Sequence, residues 1–247
     1  MLKKLRAPTR RTGRDPDRDE AHRPGAALVD ALVEEEVRRR TRELQAAFEE
    51  RTRRLRELDH LNKNNLQTLS SIVLLKARRT EDEAARRGLL NMAERITALS
   101  TMYRLLDPAS LSGRFDVAAF LDDLAGELAT SVDPRRIALK LDLDPLDVPE
   151  RDAAPMALLL NELVTNALRH AFPEGRKGRV SISTRRTEGG GRIVVEDDGI
   201  GLETAAPSSE AFGRTLSEML ARQLKAELLW EDAAPGTRAV LVLGRTA

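Results

Sequence analysis

Three short stretches of the chain hold side chains that could do chemistry. In Asp59-His60-Leu61-Asn62-Lys63-Asn64-Asn65-Leu66-Gln67 an imidazole stands among amides and charges. On a helix whose seam is Leu58, Asn62, Asn65 and Leu69, His60 faces outward, with Glu57, Lys63 and Asn64 on its side. Flanking carboxylates could hold one ring tautomer, leaving a nitrogen free to act as nucleophile or proton acceptor. The plain alternative is a surface histidine on a charged helix. The second stretch is Asn161-Glu162-Leu163-Val164-Thr165-Asn166-Ala167-Leu168-Arg169-His170. On a helix, Glu162, Asn166 and His170 stack at i, i+4 and i+8, with Arg169 beside them. A carboxylate and an amide oxygen in line can hold a hydrated Mg²⁺, and an arginine can meet phosphate oxygens. The alternative is a polar stripe facing water.

The third stretch, Val194-Val195-Glu196-Asp197-Asp198-Gly199-Ile200-Gly201, is a strand running into a D-x-G-x-G turn. With no third glycine and no helix opening at once it is not a dinucleotide fingerprint, and without Gly-Lys-Ser/Thr it is not a P-loop. A carboxylate at a strand end can accept the amino group of adenine, and Gly199 and Gly201 let backbone approach a ligand closely. Many such turns are only turns. Gly213, after the small-residue loop Ala205–Ala211 and before a helix expected at Arg214–Leu224, suggests a lid and a helix N-terminus for phosphates.

The elements that must position these groups change character along the chain. Residues 1–25 carry eight Lys/Arg against four Asp/Glu, interrupted by Pro8, Gly13, Pro16, Pro24 and Gly25, and are expected to form a disordered basic arm. From Ala26 to Arg87 there is neither glycine nor proline, the signature of long helix. Heptads place Val37, Leu44, Arg51 and Leu58 on one seam position and Thr41, Phe48, Leu55 and Asn62 on the other, an imperfect coiled coil. After a turn at Arg78–Glu83, Leu89, Met92, Ile96, Leu99, Tyr103 and Leu106 step by 3 and 4 along a second, antiparallel helix. A lone hairpin leaves that stripe partly uncovered, so two hairpins are expected to pair as a four-helix bundle, making a homodimer. Beyond Pro108–Gly113, helices are expected at Asp116–Ala129 and Asp152–Ala171. Strands are expected at Ile137–Leu143, Arg179–Thr184, Arg192–Glu196, Glu227–Trp230 and Arg238–Val242, with Glu188–Gly191 as a hairpin turn. Helices mixed with antiparallel hairpins give an α+β sandwich.

Composition bounds the function. Net charge is +1 from 41 Lys+Arg and 40 Asp+Glu, so the chain lacks the basic excess of a nucleic-acid binder. With no cysteine and three histidines (His22, His60 and His170), disulfide scaffolds, thiol nucleophiles and His-rich metal sites are excluded. The longest uncharged run, Asn64–Leu75, is about half of what a membrane-spanning helix needs. The N-terminus lacks the apolar stretch of a signal peptide, and a cytoplasmic protein is expected.

Taken in order, these pieces resemble a sensor histidine kinase core. His60-Leu61-Asn62-Lys63-Asn64-Asn65-Leu66-Gln67 is similar to the H-R-V-K-N-N-L-Q phosphoacceptor box of a class related to the HWE kinases, with Leu61 and Asn62 in place of Arg and Val. Asn161–His170 resembles that class's N box and Asp197–Gly201 its G1 box. Phe212-Gly213-Arg214-Thr215-Leu216 resembles the G2 segment with one glycine of the usual set, and Pro235-Gly236-Thr237 the start of the last strand. No Trp-x-Glu precedes the G1 turn, unlike HWE kinases proper.

The resemblance implies a Bergerat-type ATP-binding domain over residues 114–247. ATP and Mg²⁺ would be its ligands, with Asn166 on the metal, Asp197 on adenine, Arg169 and His170 near the phosphates and Thr237 near the base. It implies a dimerisation and phosphotransfer hairpin at 59–107 behind a signalling helix at 26–58. It also implies that His60 accepts the γ-phosphoryl group and passes it to an aspartate on a response regulator's receiver domain. An amide at Asn64, one turn away, could position water for dephosphorylation. No sensory domain fits in the arm and one helix, so a signal would arrive through the coiled coil, the arm or a separate sensory protein. Two other functions compete: a phosphotransfer adapter or response-regulator phosphatase with a vestigial ATP domain, and a water-directed ATPase with Glu162 as general base.

Overall fold

The run without glycine or proline folds as expected. Helix α1 (Arg23–Arg78) is unbroken. It ends at a tight turn, and α2 (Glu83–Leu105) opens on Asp82, whose side chain accepts from the Ala85 amide at 2.7 Å. The structure is a computed structural model that describes residues 23–106, 113–130, 132–201 and 207–244. The side chains of residues 23–31, 55–56, 58–60, 63 and 207–212 lie outside that description. Most of the expected basic arm and most of the linker after Leu106 therefore also lie outside the described residues. Among the described residues no helix is long and apolar enough to cross a membrane.

Contacts divide the chain into two units, residues 1–54 and 55–247. In the first, α1 is laced by ion pairs one turn apart, including Arg38 with Glu34, Arg39 with Glu36 and Glu43, and Arg54 with Glu50. Val37, Leu44 and Phe48, three of the heptad positions, are exposed in the single chain.

The second unit is α+β, as the sequence predicts. After α2 come β1 (Arg114–Asp116), α3 (Val117–Ala129), β2 (Ile137–Leu143), β3 (Asp147–Pro149) and α4 (Ala153–His170). They are followed by β4 (Gly178–Thr187), β5 (Gly190–Asp197), α5 (Pro207–Gln223), β6 (Ala226–Asp232) and β7 (Thr237–Leu243). Five strands form one sheet in the order β2-β4-β5-β7-β6; β2 and β4 are parallel and every other pair is antiparallel. Period-2 alternation sends Val180, Ile182, Ile193, Val195, Ala239 and Leu241 to the buried face. Ser181, Ser183, Val194 and Glu196 point the other way and are half-buried. The short ribbon β1–β3 was not anticipated, because three residues per strand are too few to show a period.

Helix α4 is apolar on several sides, with Met156, Ala157, Leu159, Leu160 and Val164 wholly buried. It packs against α2, α3, α5 and the sheet. The stripe from Leu89 to Leu106 is only partly covered, with Met92 half exposed, and the fully buried face of α2 is Ala93, Ala98, Thr101 and Met102. Ala98 and Met102 belong to the core of the sandwich, so α2 shares that core. Thr101 Oγ1 donates to Glu127 at 2.8 Å, and Arg104 pairs with Asp123 and Glu127, tying α2 to α3.

Candidate functional site

A pocket opens between α4 and the end of the sheet where β5 finishes and β7 begins. Its polar wall includes Asn166 and His170 from α4, Asp197 from β5, Thr237 from β7, and Gly201. Leu163, Ala167, Val195 and Ala239 give it an apolar floor, the mixture expected of a site for a flat base with polar substituents.

Asp197 is the pivot. Its side chain is buried, and one oxygen, Oδ1, accepts the Gly199 amide at 2.9 Å and the Thr237 amide at 3.3 Å. Burial pushes the Asp197 carboxyl above the usual carboxylate range, against the downward pull of those two amides. The turn after it is fixed by close approach. A Cβ on Gly199 would stand 2.3 Å from the Ala171 carbonyl, which itself accepts the Ile200 amide at 3.1 Å. This welds the end of α4 to the end of β5. Gly236, at φ +104°, would place a Cβ 1.9 Å from the Asp197 carbonyl oxygen, so it too can only be glycine.

The stacked residues of α4 divide their tasks. Asn166 and His170 face the pocket, but Glu162 is buried and its carboxylate takes both prongs of Arg95 from α2: Nε to Oε1 at 2.8 Å and Nη2 to Oε2 at 2.9 Å. Glu162, expected among the cofactor-binding residues, does not line the pocket, and it does not face water as a polar stripe would. The carboxylate in turn holds the Arg95 guanidinium above its ordinary value. Arg169, expected beside the phosphates, does not line the pocket. One residue along a helix is a turn of about 100°, and this points its guanidinium at Asn91 and Glu94 of α2. Gly213 also differs from expectation. It lies inside α5, which begins at Pro207, and not ahead of a helix start. Proline suits a first helical position, whereas the sequence reading gave weight to the glycine. Gly213 is buried, and a Cβ there would come 3.4 Å from the Asn166 amide nitrogen and 3.7 Å from Glu162 Oε2. Of the expected lid loop Ala205–Ala211, residues 207–211 belong to α5, and residues 205 and 206 lie outside the described residues.

His60 lies in α1, and its side chain is outside the described residues; Asn64, one turn on, is exposed. Sequence reasoning missed Arg95 and Trp230, and it named Arg214 and Gly236 only within motifs, with no role of their own. Arg214 and Trp230 line the pocket, with the guanidinium 5.6 Å from the indole centroid. The usable signals were that Trp230 is the sole tryptophan and that Gly236 precedes a strand. For Arg95 there was none, because its partner lies 67 residues away.

A mixed sheet carrying helices, with a buried aspartate and glycine turn opposite a helix bearing Asn166, defines an ATP-binding fold of one kind. Residues 151–243 match the family described as histidine kinase-, DNA gyrase B- and HSP90-like ATPase, and residues 57–132 match the family described as histidine kinase. The chain thus carries the two family regions of a histidine kinase. It is 32% identical over 229 residues to the sensor histidine kinase PdtaS of Mycobacterium tuberculosis, covering 88% of this chain and 43% of that protein. It is 29% identical over 192 residues to blue-light-activated histidine kinase 2 of Erythrobacter litoralis, covering 75% of this chain and 55% of that one. The chain thus spans about half or less of the length of these relatives. Among solved structures, the histidine kinase domain of an Erythrobacter litoralis blue-light-activated kinase superposes with a TM-score of 0.57 at 24% identity, over 73% of this chain and 95% of that domain, a likeness of fold.

Proposed function

We propose that this chain phosphorylates itself on His60 from Mg-ATP and passes the phosphoryl group to an aspartate on a response regulator's receiver domain. The observation that carries the nucleotide half is the pocket itself: a buried Asp197 held by two backbone amides, facing Asn166 across an apolar floor. Asp197 Oδ1 is oriented by those amides, so the carboxylate meets the exocyclic amino group of adenine with no reorganisation. Asn166 would hold a Mg²⁺ through its amide oxygen, and His170, lining the same pocket, would meet the phosphate end. Gly201, at φ +78°, lets backbone approach the nucleotide, and the buried Gly213 leaves room beside Asn166. In the transfer, an imidazole nitrogen of His60 bonds to the γ-phosphorus as the bond to the β–γ bridging oxygen breaks, leaving ADP.

The partners follow from the same reading: a receiver domain and a second copy of the chain. Asn64, exposed one turn from His60, would orient water when a phosphorylated receiver is bound. The intact pocket counts against a vestigial ATP domain. Calorimetry tests the nucleotide half. Mg-ATP is expected to bind in a magnesium-dependent manner, with Asn166→Ala removing most of that dependence. An absence of binding heat at millimolar Mg-ATP would contradict it.

A further inference from the structure

Glu162 presents a chemical problem that the kinase reading leaves unsolved. It is a buried carboxylate next to Asn166, the residue proposed to hold Mg²⁺, and its Oε2 faces the same small space that Gly213 leaves open. A carboxylate beside a bound triphosphate is placed to take a proton from water and send it against the γ-phosphorus, which would waste ATP. In this chain both Glu162 oxygens accept from a single guanidinium, at 2.8 and 2.9 Å, and that guanidinium comes from the hairpin and not from the ATP-binding sandwich. Lone pairs committed to Arg95 are withdrawn from water.

We infer that Arg95 suppresses a latent ATP-hydrolysing activity in which Glu162 is the general base. This rests on the reading of the pocket as a Mg-ATP site. With Arg95 removed, the oxygen of water bonds to the γ-phosphorus and the bond to the β–γ bridging oxygen breaks, its electron pair leaving with ADP. The water proton passes to Glu162 and on to solvent, so the products are ADP, inorganic phosphate and a proton. Arg95 is a positioning residue: it acts on the reaction only through Glu162. The consequence is that hydrolysis is held off by the same hairpin whose first helix carries His60, so ATP is kept for transfer while α2 stays docked on α4. Arg169, paired with Asn91 and Glu94, holds the two helices together at a second point.

The test uses the full chain and follows inorganic phosphate release from Mg-ATP. Arg95→Met, which keeps much of the bulk and loses the charge, is expected to raise the release rate tenfold or more. Glu162→Gln in that background should return it to the wild-type level, a reversal that a general loosening of the fold would not give. Arg95→Lys, which retains the charge without the two-pronged contact, should fall between wild type and Arg95→Met, and it serves if Arg95→Met fails to fold. A folded Arg95 variant that binds Mg-ATP and releases phosphate no faster than wild type overturns the inference, as does a gain that survives Glu162→Gln. If the wild type does not bind Mg-ATP in calorimetry, the nucleotide reading itself fails, and this inference with it.

Discussion

Asp197 shows how a single residue can trade stability for binding. Its carboxyl is pushed up by burial, so the folded state holds the Asp197 proton more tightly than the unfolded chain does. The stability linked to this group is therefore greatest in acid and is lost as pH rises through the raised folded value. Asp197→Asn is expected to melt at or above the wild-type temperature at pH 8, and the difference should close towards pH 4. The same substitution should weaken Mg-ATP binding about tenfold to a hundredfold, the range for losing a charged hydrogen-bond acceptor. Wild-type affinity should also begin to fall at a higher pH than an ordinary aspartate would produce. Calorimetry across pH 4–8 on both proteins checks both directions. Gly199 sits under a different constraint. Its Cβ position lies 2.3 Å from the Ala171 carbonyl, a backbone atom that cannot step aside, so Gly199→Ala should cost about 2–4 kcal/mol in denaturant unfolding. Gly201→Ala meets nothing closer than 3.5 Å and should cost only about 1 kcal/mol through its positive φ.

Among the elements, α2 carries the most information about how hairpin and sandwich fit together. Met102 is fully buried in the same core as Phe115, Leu121 and Leu160. Met102→Ala should therefore cost about 2–5 kcal/mol and lower the melting of the ATP-binding sandwich along with that of the hairpin, in one transition. A calorimetric trace in which only a minor early transition moves would contradict this. The sequence made the long-period elements legible. Strand β2 runs over the predicted Ile137–Leu143, and the helix predicted at Asp116–Ala129 is α3, with Asp116 as its N-cap, because alternation and helical composition are local signals. What stayed hidden was decided across the chain. The stripe at Leu89–Leu106 and the buried face of α2 share one helix, and only the arrival of α4 chooses between them. Arg169 had a plausible phosphate role until α2 supplied two nearer partners. Asn166, His170, Asp197, Gly201 and Thr237 meet in one pocket, and they are the residues for which motif order and helical stacking agreed.

For the whole molecule, the apolar side chains left over make a prediction about assembly. Leu69, Ile72, Leu75 and Met92 are half exposed or more on the hairpin helices, and burying such surface at about 25 cal/mol per Å² favours pairing with a second copy. Light scattering at micromolar concentration is expected to give about two chain masses, and one chain mass would contradict the dimer. The molecule as described brings together an ATP-type pocket, a docked hairpin and a helix that carries one histidine in a kinase-like box. Under the proposed function these parts form a phosphoryl-transfer path ending on His60. The most direct measurement is to incubate the wild type and His60→Gln with γ-labelled Mg-ATP and assay acid-labile, alkali-stable phosphate on the protein. Label on the wild type and none on His60→Gln, with Mg-ATP affinity nearly equal in the two, is the expected result, because the imidazole meets the nucleotide only in the transfer complex. Label persisting on His60→Gln, or absent from a wild type that binds Mg-ATP, would contradict it.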